Sequence, residues 1–226
     1  MRATDVGAHK EAAGRHAASL VERGMRVGLG TGSTVRHTTT ALAEADLDLT
    51  CVATSRATEQ LATRLGLRVV PPDEVLSLDL AIDGADEVDP SLHLIKGGGG
   101  AHTREKVVAE MATRFVVAVD ESKLVPVLGA FRVPLEVLPF APEVVAQRVR
   151  ALGAFDVRPR PGWSDNGHVL MDADFGPIAD PVALAARLDL VTGLVEHGIF
   201  VAAMVDRVIV AGPSGVRVLP PSPPPA

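Results

Sequence analysis

Residues 25–34 read Met-Arg-Val-Gly-Leu-Gly-Thr-Gly-Ser-Thr. The first five form a short run suited to a buried strand, the next five a glycine-rich turn, and a helical spacing continues to about residue 45. A second β-rich run at 50–54 completes a βαβ unit. Working outward, Ala12, Ala13, Ala17, Leu20 and Val21 place a helix over 5–22, set off from the first strand by Gly24. Downstream, the pattern predicts a helix at 57–65, strands at 67–70 and 78–82, a helix at 103–111 and a strand at 115–119. Strands alternating with helices in this way imply an α/β fold: a Rossmann-like, mostly parallel sheet with helices on both faces.

The pattern changes after Leu128. A strand at 135–138, a helix at 142–152, a strand at 155–158, an Asn166-Gly167 hairpin turn, a strand at 168–171, a helix at 181–188 and an extended run at 198–203 follow. That order predicts a small inserted ferredoxin-like α+β domain. Residues 207–210 and 216–219, joined by Pro213-Ser214-Gly215, read as a hairpin that returns to the large sheet. The expected division is therefore 1–129 with 204–219 as the larger domain, 130–203 as the smaller, and 220–226 as a disordered tail.

Composition narrows the function. The 226 residues are 47% hydrophobic, yet no apolar run approaches the roughly 20 residues of a membrane helix. Residues 1–16 show no apolar signal region, so the cytoplasm is the expected compartment. A net charge of −6 without a basic run argues against nucleic-acid binding and for a small, locally cradled anion. Cys51, the single cysteine, sits in an apolar run and reads as a buried thiol. The seven histidines are scattered, and no metal site is expected.

Ligands of open α/β sheets bind beyond the carboxyl ends of strands, and three loops there carry chemistry. In 28–34, glycines let backbone N–H groups approach an anion, Ser33 and Thr34 add hydroxyls, and the next helix directs its positive end to the same point. A nucleotide P-loop needs Lys where Gly32 stands, and a dinucleotide fingerprint needs Gly where Ser33 stands. The second loop, Asp83-Gly84-Ala85-Asp86-Glu87, puts two carboxylates at one strand end, either a site for sugar hydroxyls and protons or a solvated turn. The third is Lys96 followed by four glycines and His102-Thr103-Arg104-Glu105-Lys106. It reads either as a linker or as backbone passing close to a ligand, with Glu105 either a surface carboxylate or a base.

Taken together, Gly-Thr-Gly-Ser-Thr at 30–34, Asp-Gly-Ala-Asp-Glu at 83–87 and Lys-Gly-Gly-Gly with Thr-Arg-Glu-Lys at 96–99 and 103–106 resemble the type A ribose-5-phosphate isomerases. The resemblance spans nearly the whole chain. It implies a cofactor-free aldose-ketose isomerase of the non-oxidative pentose phosphate pathway, a sugar phosphate as small-molecule partner, and a homodimer or homotetramer. Glu105 is then the proton acceptor, completed by Asp83, Asp86 and Lys96. Substrate contacts fall to Thr31, Gly32, Ser33, Thr34, Gly84, Ala85, Gly97, Gly98, Gly99, Lys123 and, less directly aligned, Lys10. Arg56 and His102 depart from the common pattern. The alternatives are another sugar-phosphate isomerase or deaminase of the same superfamily, or a non-catalytic sugar-phosphate sensor.

Overall fold

The structure of the protein, a computed structural model, describes residues 3–220. In chain order its elements begin α1 (Ala3–Ala18), β1 (Arg26–Leu29), α2 (Ser33–Glu44), β2 (Thr50–Ala53), α3 (Arg56–Arg64), β3 (Arg68–Val69) and β4 (Leu80–Asp83). β5 (Glu87–Val88), β6 (Leu94–Ile95), α4 (His102–Met111), β7 (Phe115–Asp120), β8 (Val133–Val137), α5 (Pro142–Ala151) and β9 (Asp156–Trp163) come next. The chain continues with β10 (Val169–Asp174), α6 (Pro181–Leu188), β11 (Leu194–His197), β12 (Ile199–Phe200), β13 (Arg207–Gly212) and β14 (Gly215–Leu219). Contacts divide the chain into two units: residues through Ala85 with Arg104–Lys123 and Ala203 onward, and Asp86–Thr103 with Leu124–Ala202. Residues 86–103, which the sequence-based division placed in the larger domain, group by contact with the smaller unit.

The first unit is a seven-stranded sheet in the order β14-β13-β7-β4-β1-β2-β3. Every neighbouring pair is parallel except β13 with β14, the expected terminal hairpin. Alternate residues of each strand fill one face: Val27, Leu29, Cys51, Leu80, Ile82, Val116 and Ala118 pack with Ala13, Ala17, Leu42 and Ala62 of α1, α2 and α3. Burial in that layer pushes the Cys51 thiol up to about 12, which makes it inert. On the other face α4 approaches so closely that a Cβ on Gly28 would lie 2.5 Å from Val108 Cγ1. α1 ends at Ala18 rather than 22: after a last i−4 bond from Ser19 N to Arg15 O, Leu20 N and Val21 N tighten to the carbonyls of Ala17 and Ala18, three residues back.

The second unit contains a four-stranded antiparallel sheet, β11-β8-β10-β9, with α5 and α6 between its strands in sequence. This is the ferredoxin-like order expected, but its last strand is β11, earlier than the predicted run at 198–203. That run instead forms β12, which joins β6 and β5 in a three-stranded sheet that the sequence pattern did not reveal. Two-residue strands such as β5 and β6 carry no period to detect.

Glu136 on β8 is fully buried and anchors the hairpin of this unit. Its carboxylate accepts from Thr103 Oγ1 at 2.5 Å, Ser164 Oγ at 2.8 Å and Asn166 Nδ2 at 2.9 Å, and pairs with His168 Nδ1 at 2.7 Å. Burial alone would raise its pKa, but these four partners outweigh it and hold the carboxyl below the usual carboxylate range. A depressed folded-state value means that the stability it contributes is complete above the ordinary carboxylate pKa of 4.5 and drains as pH falls through the lower folded value. Glu136→Gln should cost about 1–3 kcal/mol at neutral pH and flatten the acid limb. Denaturant unfolding of parent and variant from about pH 7 to about pH 3 measures both effects.

Candidate active site

In the large sheet the chain winds outward from β1 through β2 to β3 on one side, and through β4 to β7 on the other. The strand order therefore reverses between β1 and β4, the place at the carboxyl ends where open α/β sheets bind their ligands. In the first unit the turn after β1 and the end of β4 meet there. Asp83, 2% exposed, uses Oδ1 to accept from Thr31 N at 3.0 Å and Gly84 N at 2.7 Å. A Cβ on Gly30 would lie 2.1 Å from Asp83 Cγ, so glycine is the residue that lets the turn meet this carboxylate.

Beyond it, Thr31 Oγ1 bonds Ser55 Oγ at 2.8 Å and lies 2.9 Å from Thr54 Oγ1 and 3.2 Å from Thr58 Oγ1. Thr58 Oγ1 in turn donates to Gly30 O at 2.8 Å. This hydroxyl cluster fixes the turn, and Thr58 is a member that motif reading missed; the only local signal was the Ser55 cap three residues earlier. Gly32, at φ 130°, starts α2 without a side-chain cap, and no acid occupies the first turn. The first intrahelical bond runs from Arg36 N to Gly32 O, so the amides of 33–35 face outward with the positive helix end, as an anion requires. Ser33 is exposed and Thr34 is buried beneath.

Glu105, 4% exposed, belongs to the same unit. α4 runs antiparallel to the strands: its last residue, Met111, accepts through its carbonyl from Leu78 N, two residues before β4, at 2.8 Å. Val108 packs on Gly28, and Glu105 lies one turn nearer the carboxyl edge on the same helix face, about 4.5 Å further along. Strands rise about 3.3 Å per residue, so that step brings Glu105 level with the Leu29–Gly30 region. Lys123 ends the 3₁₀ turn Glu121–Lys123 that follows β7, also at the carboxyl edge. Lys10 is four residues before Gly14, whose missing Cβ would come 2.7 Å from Thr34 O, so Lys10 shares the α1 face that packs on the start of α2. Arg56 is exposed at the first position of α3.

The second unit holds the other predicted group. Asp86 Oδ2 accepts from Gly98 N at 2.7 Å, and a Cβ on Gly98 would come within 2.8 Å of Asp86 Oδ1. Arg160 Nη1 donates to Gly97 O at 2.9 Å and Gly98 O at 3.2 Å while its guanidinium pairs with Asp172. His102 is fully buried, and a Cβ on Gly97, whose φ is 100°, would lie 2.7 Å from its ring. The glycine run is thus a loop held at Gly98 N and at the Gly97 and Gly98 carbonyls, not a linker, and His102 is its seat. Gly99 is exposed at its crest. Lys96, 2% exposed, enters the loop from β6, its Nζ 5.3 Å from the centre of the Phe200 ring.

Over residues 50–215 the chain matches the family model of ribose 5-phosphate isomerase A, also called phosphoriboisomerase A. The chain belongs to the ribose-5-phosphate isomerase A family. Among curated members, the ribose-5-phosphate isomerase A of Sinorhizobium medicae is 47% identical over 212 residues, covering 88% of this chain and 91% of its own. That of Thermomicrobium roseum is 49% identical over 220 residues, 93% and 92% of the two chains. The crystal structure of ribose 5 phosphate isomerase A from Neisseria gonorrhoeae superposes with a TM-score of 0.93 at 34% identity over 96% of this chain and 98% of that one. A D-ribose-5-phosphate isomerase in complex with phospho-erythronic acid superposes at 0.91 with 37% identity, over 95% and 99%.

One further polar group stands apart from the family motifs. Asp189, Glu196 and His197 bring one ligand atom each within 4.8 Å of one another. His197 Nδ1 accepts from Ile199 N at 3.2 Å, which leaves the proton on Nε2, facing Asp189 Oδ1 at 3.0 Å. That is a hydrogen-bonded structural trio, since a ligating Nε2 must be bare. No helix among the described residues is long and apolar enough to cross a membrane.

The contact between Gly30 and Asp83 is directly testable. Gly30→Ala should force the turn and the carboxylate apart, costing about 1–3 kcal/mol of stability and weakening phosphate binding more than tenfold, about 1.4 kcal/mol or more. Calorimetric titration with inorganic phosphate and thermal unfolding measure the two separately.

Proposed function

We infer that this protein interconverts D-ribose 5-phosphate and D-ribulose 5-phosphate through an enediolate, with Glu105 as the base. What supports the reading is the packing of Val108 of α4 on Gly28, from which helix spacing puts Glu105 one turn nearer the glycine turn, in a member of this family. The amides and hydroxyls of Thr31, Gly32, Ser33 and Thr34 take the phosphate. In the open-chain aldose, Glu105 removes the proton from C2 as charge develops on the C1 oxygen; a proton then passes from the C2 hydroxyl to the C1 oxygen, and the Glu105 carboxylic acid returns its proton to C1, leaving the ketone at C2 and a hydroxyl at C1. A single carboxylate on one face of the sugar serves both transfers, and general-base catalysis supplies about 10²–10⁴-fold. Lys96 stabilises the oxygen that gains charge, while Asp83, Asp86 and the backbone of Gly84, Ala85 and Gly97–Gly99 hold the hydroxyls and assist ring opening. Lys123 and Lys10 extend the substrate contacts. This chemistry needs no redox cofactor.

Glu105→Gln keeps shape and hydrogen bonding but cannot accept the carbon-bound proton. Turnover of ribose 5-phosphate should fall by at least about 10²-fold with little change in binding. Conversion followed by proton NMR in D₂O decides the matter: the parent protein forms ribulose 5-phosphate and places solvent deuterium on the exchanging carbon, and the variant does neither at a comparable rate. Full turnover in Glu105→Gln would sink the assignment.

The same reading makes the enzyme a cytoplasmic homodimer or homotetramer. Phe140, Phe155, Trp163 and Leu190 of the second unit are each at least 65% exposed, apolar surface of the kind that assembly covers. Light scattering coupled to gel filtration should return two or four times the 23.6 kDa chain mass.

A further inference from the structure

Lys96 is a charged side chain in a dry place, 2% exposed, and burying an ammonium is costly unless something offsets lost hydration. Part of that offset is aromatic. The Phe200 ring, fully buried, lies with its centre 5.3 Å from Lys96 Nζ, within the range in which the negative ring face attracts a cation. The backbone holds this pair in register. Ile199 and Phe200 of β12 pair with Ile95 and Leu94 of β6, the two residues before Lys96. Lys96 N donates to Gly198 O at 2.8 Å, and a Cβ on Gly198 would sit 2.2 Å from Lys96 O, so the strand can come this close only through a glycine. The predicted extended run at 198–203, by pairing with β6 in a sheet that sequence reading did not foresee, therefore places a ring against the ammonium and ties both ends of the pair to one ladder.

We propose that Phe200 is a positioning residue for the isomerisation, its ring face holding the Lys96 ammonium charged and in place for the sugar oxygen that gains negative charge. The inference rests on the reading of Lys96 given above. A ring face attracts the cation without accepting a linear N–H···O bond, so it helps to position Nζ without itself taking up an N–H donor. Preorganised charge of this kind acts on the transition state more than on the bound aldose. The effect belongs in kcat rather than KM.

Replacing Phe200 with leucine is the blunt test, and a hole in a packed core complicates it. The sharper one is to introduce mono-, di- and trifluorophenylalanine at position 200 by codon reassignment, which drains the ring face of negative charge while nearly preserving its shape. For ribose 5-phosphate, kcat should fall stepwise with fluorine number, reaching about tenfold or more for the trifluoro ring. KM and melting temperature should hardly move. In a Lys96→Met background the same series should be flat. A flat series in the parent background, with Lys96→Met nearly inactive, overturns the role of Phe200 and leaves that of Lys96 standing. Undiminished turnover in Lys96→Met overturns the reading of Lys96 and the inference with it.

Discussion

The carboxylate of Asp83 is the point on which the first unit's site depends. It ends β4, next to β1, and one oxygen takes the N–H groups of both Thr31 and Gly84. Hydrogen bonds to a charged acceptor are worth about 1.5–3 kcal/mol each, enough to select one conformation for a turn made largely of glycine. The carboxylate occupies the space that a side chain at residue 30 would need, so the glycine and the aspartate, 53 positions apart, are one requirement read twice. From the turn so fixed follow the left-handed Gly32, the start of α2 and the direction in which its first amides point.

The two units solve the same problem by different means. In the first, rigid elements deliver groups to an edge: parallel strands end together, and α4 runs back against them so that its first turn reaches the same level. In the second, a loop that by composition should be floppy is held at both its amides and its carbonyls, by Asp86 and by Arg160, and is seated on His102. Glycine is needed there for approach rather than for freedom. Its entropic cost on folding is offset by charged partners that fix it before any ligand arrives.

Much of this was legible beforehand, and the gaps have physical reasons. α2, α4, β7, α6 and the terminal hairpin were readable because period and punctuation agree: glycine turns, an Asp180 cap followed by Pro181, and unbroken apolar strands. The three-stranded sheet was not, because pairing of two-residue strands is decided by tertiary contacts and leaves no period in the sequence. Phe200 and Arg160 were invisible for a related reason. Each reaches the Lys96 loop from far along the chain, and neither lies in a motif. Thr58 was closer to hand, yet a threonine in the first turn of a helix is too common to single out.

The motif Asp83-Gly84-Ala85-Asp86-Glu87 shows how far residue type alone can carry an assignment. The sequence put two carboxylates, Asp83 and Asp86, at one strand end as either a site or a solvated turn, and the structure gives them and the adjacent Glu87 three tasks. Asp83 organises the turn after β1, Asp86 holds Gly98, and Glu87, 3% exposed, accepts from Gly129 N at 2.7 Å and Phe131 N at 2.6 Å. Glu87 is therefore scaffold: a buried acid with backbone donors on both oxygens, like Glu136 with its four partners. A carboxylate can be buried because it is chemically useful or because a loop needs an acceptor, and sequence records both in the same way. What separates them is which donors surround each oxygen.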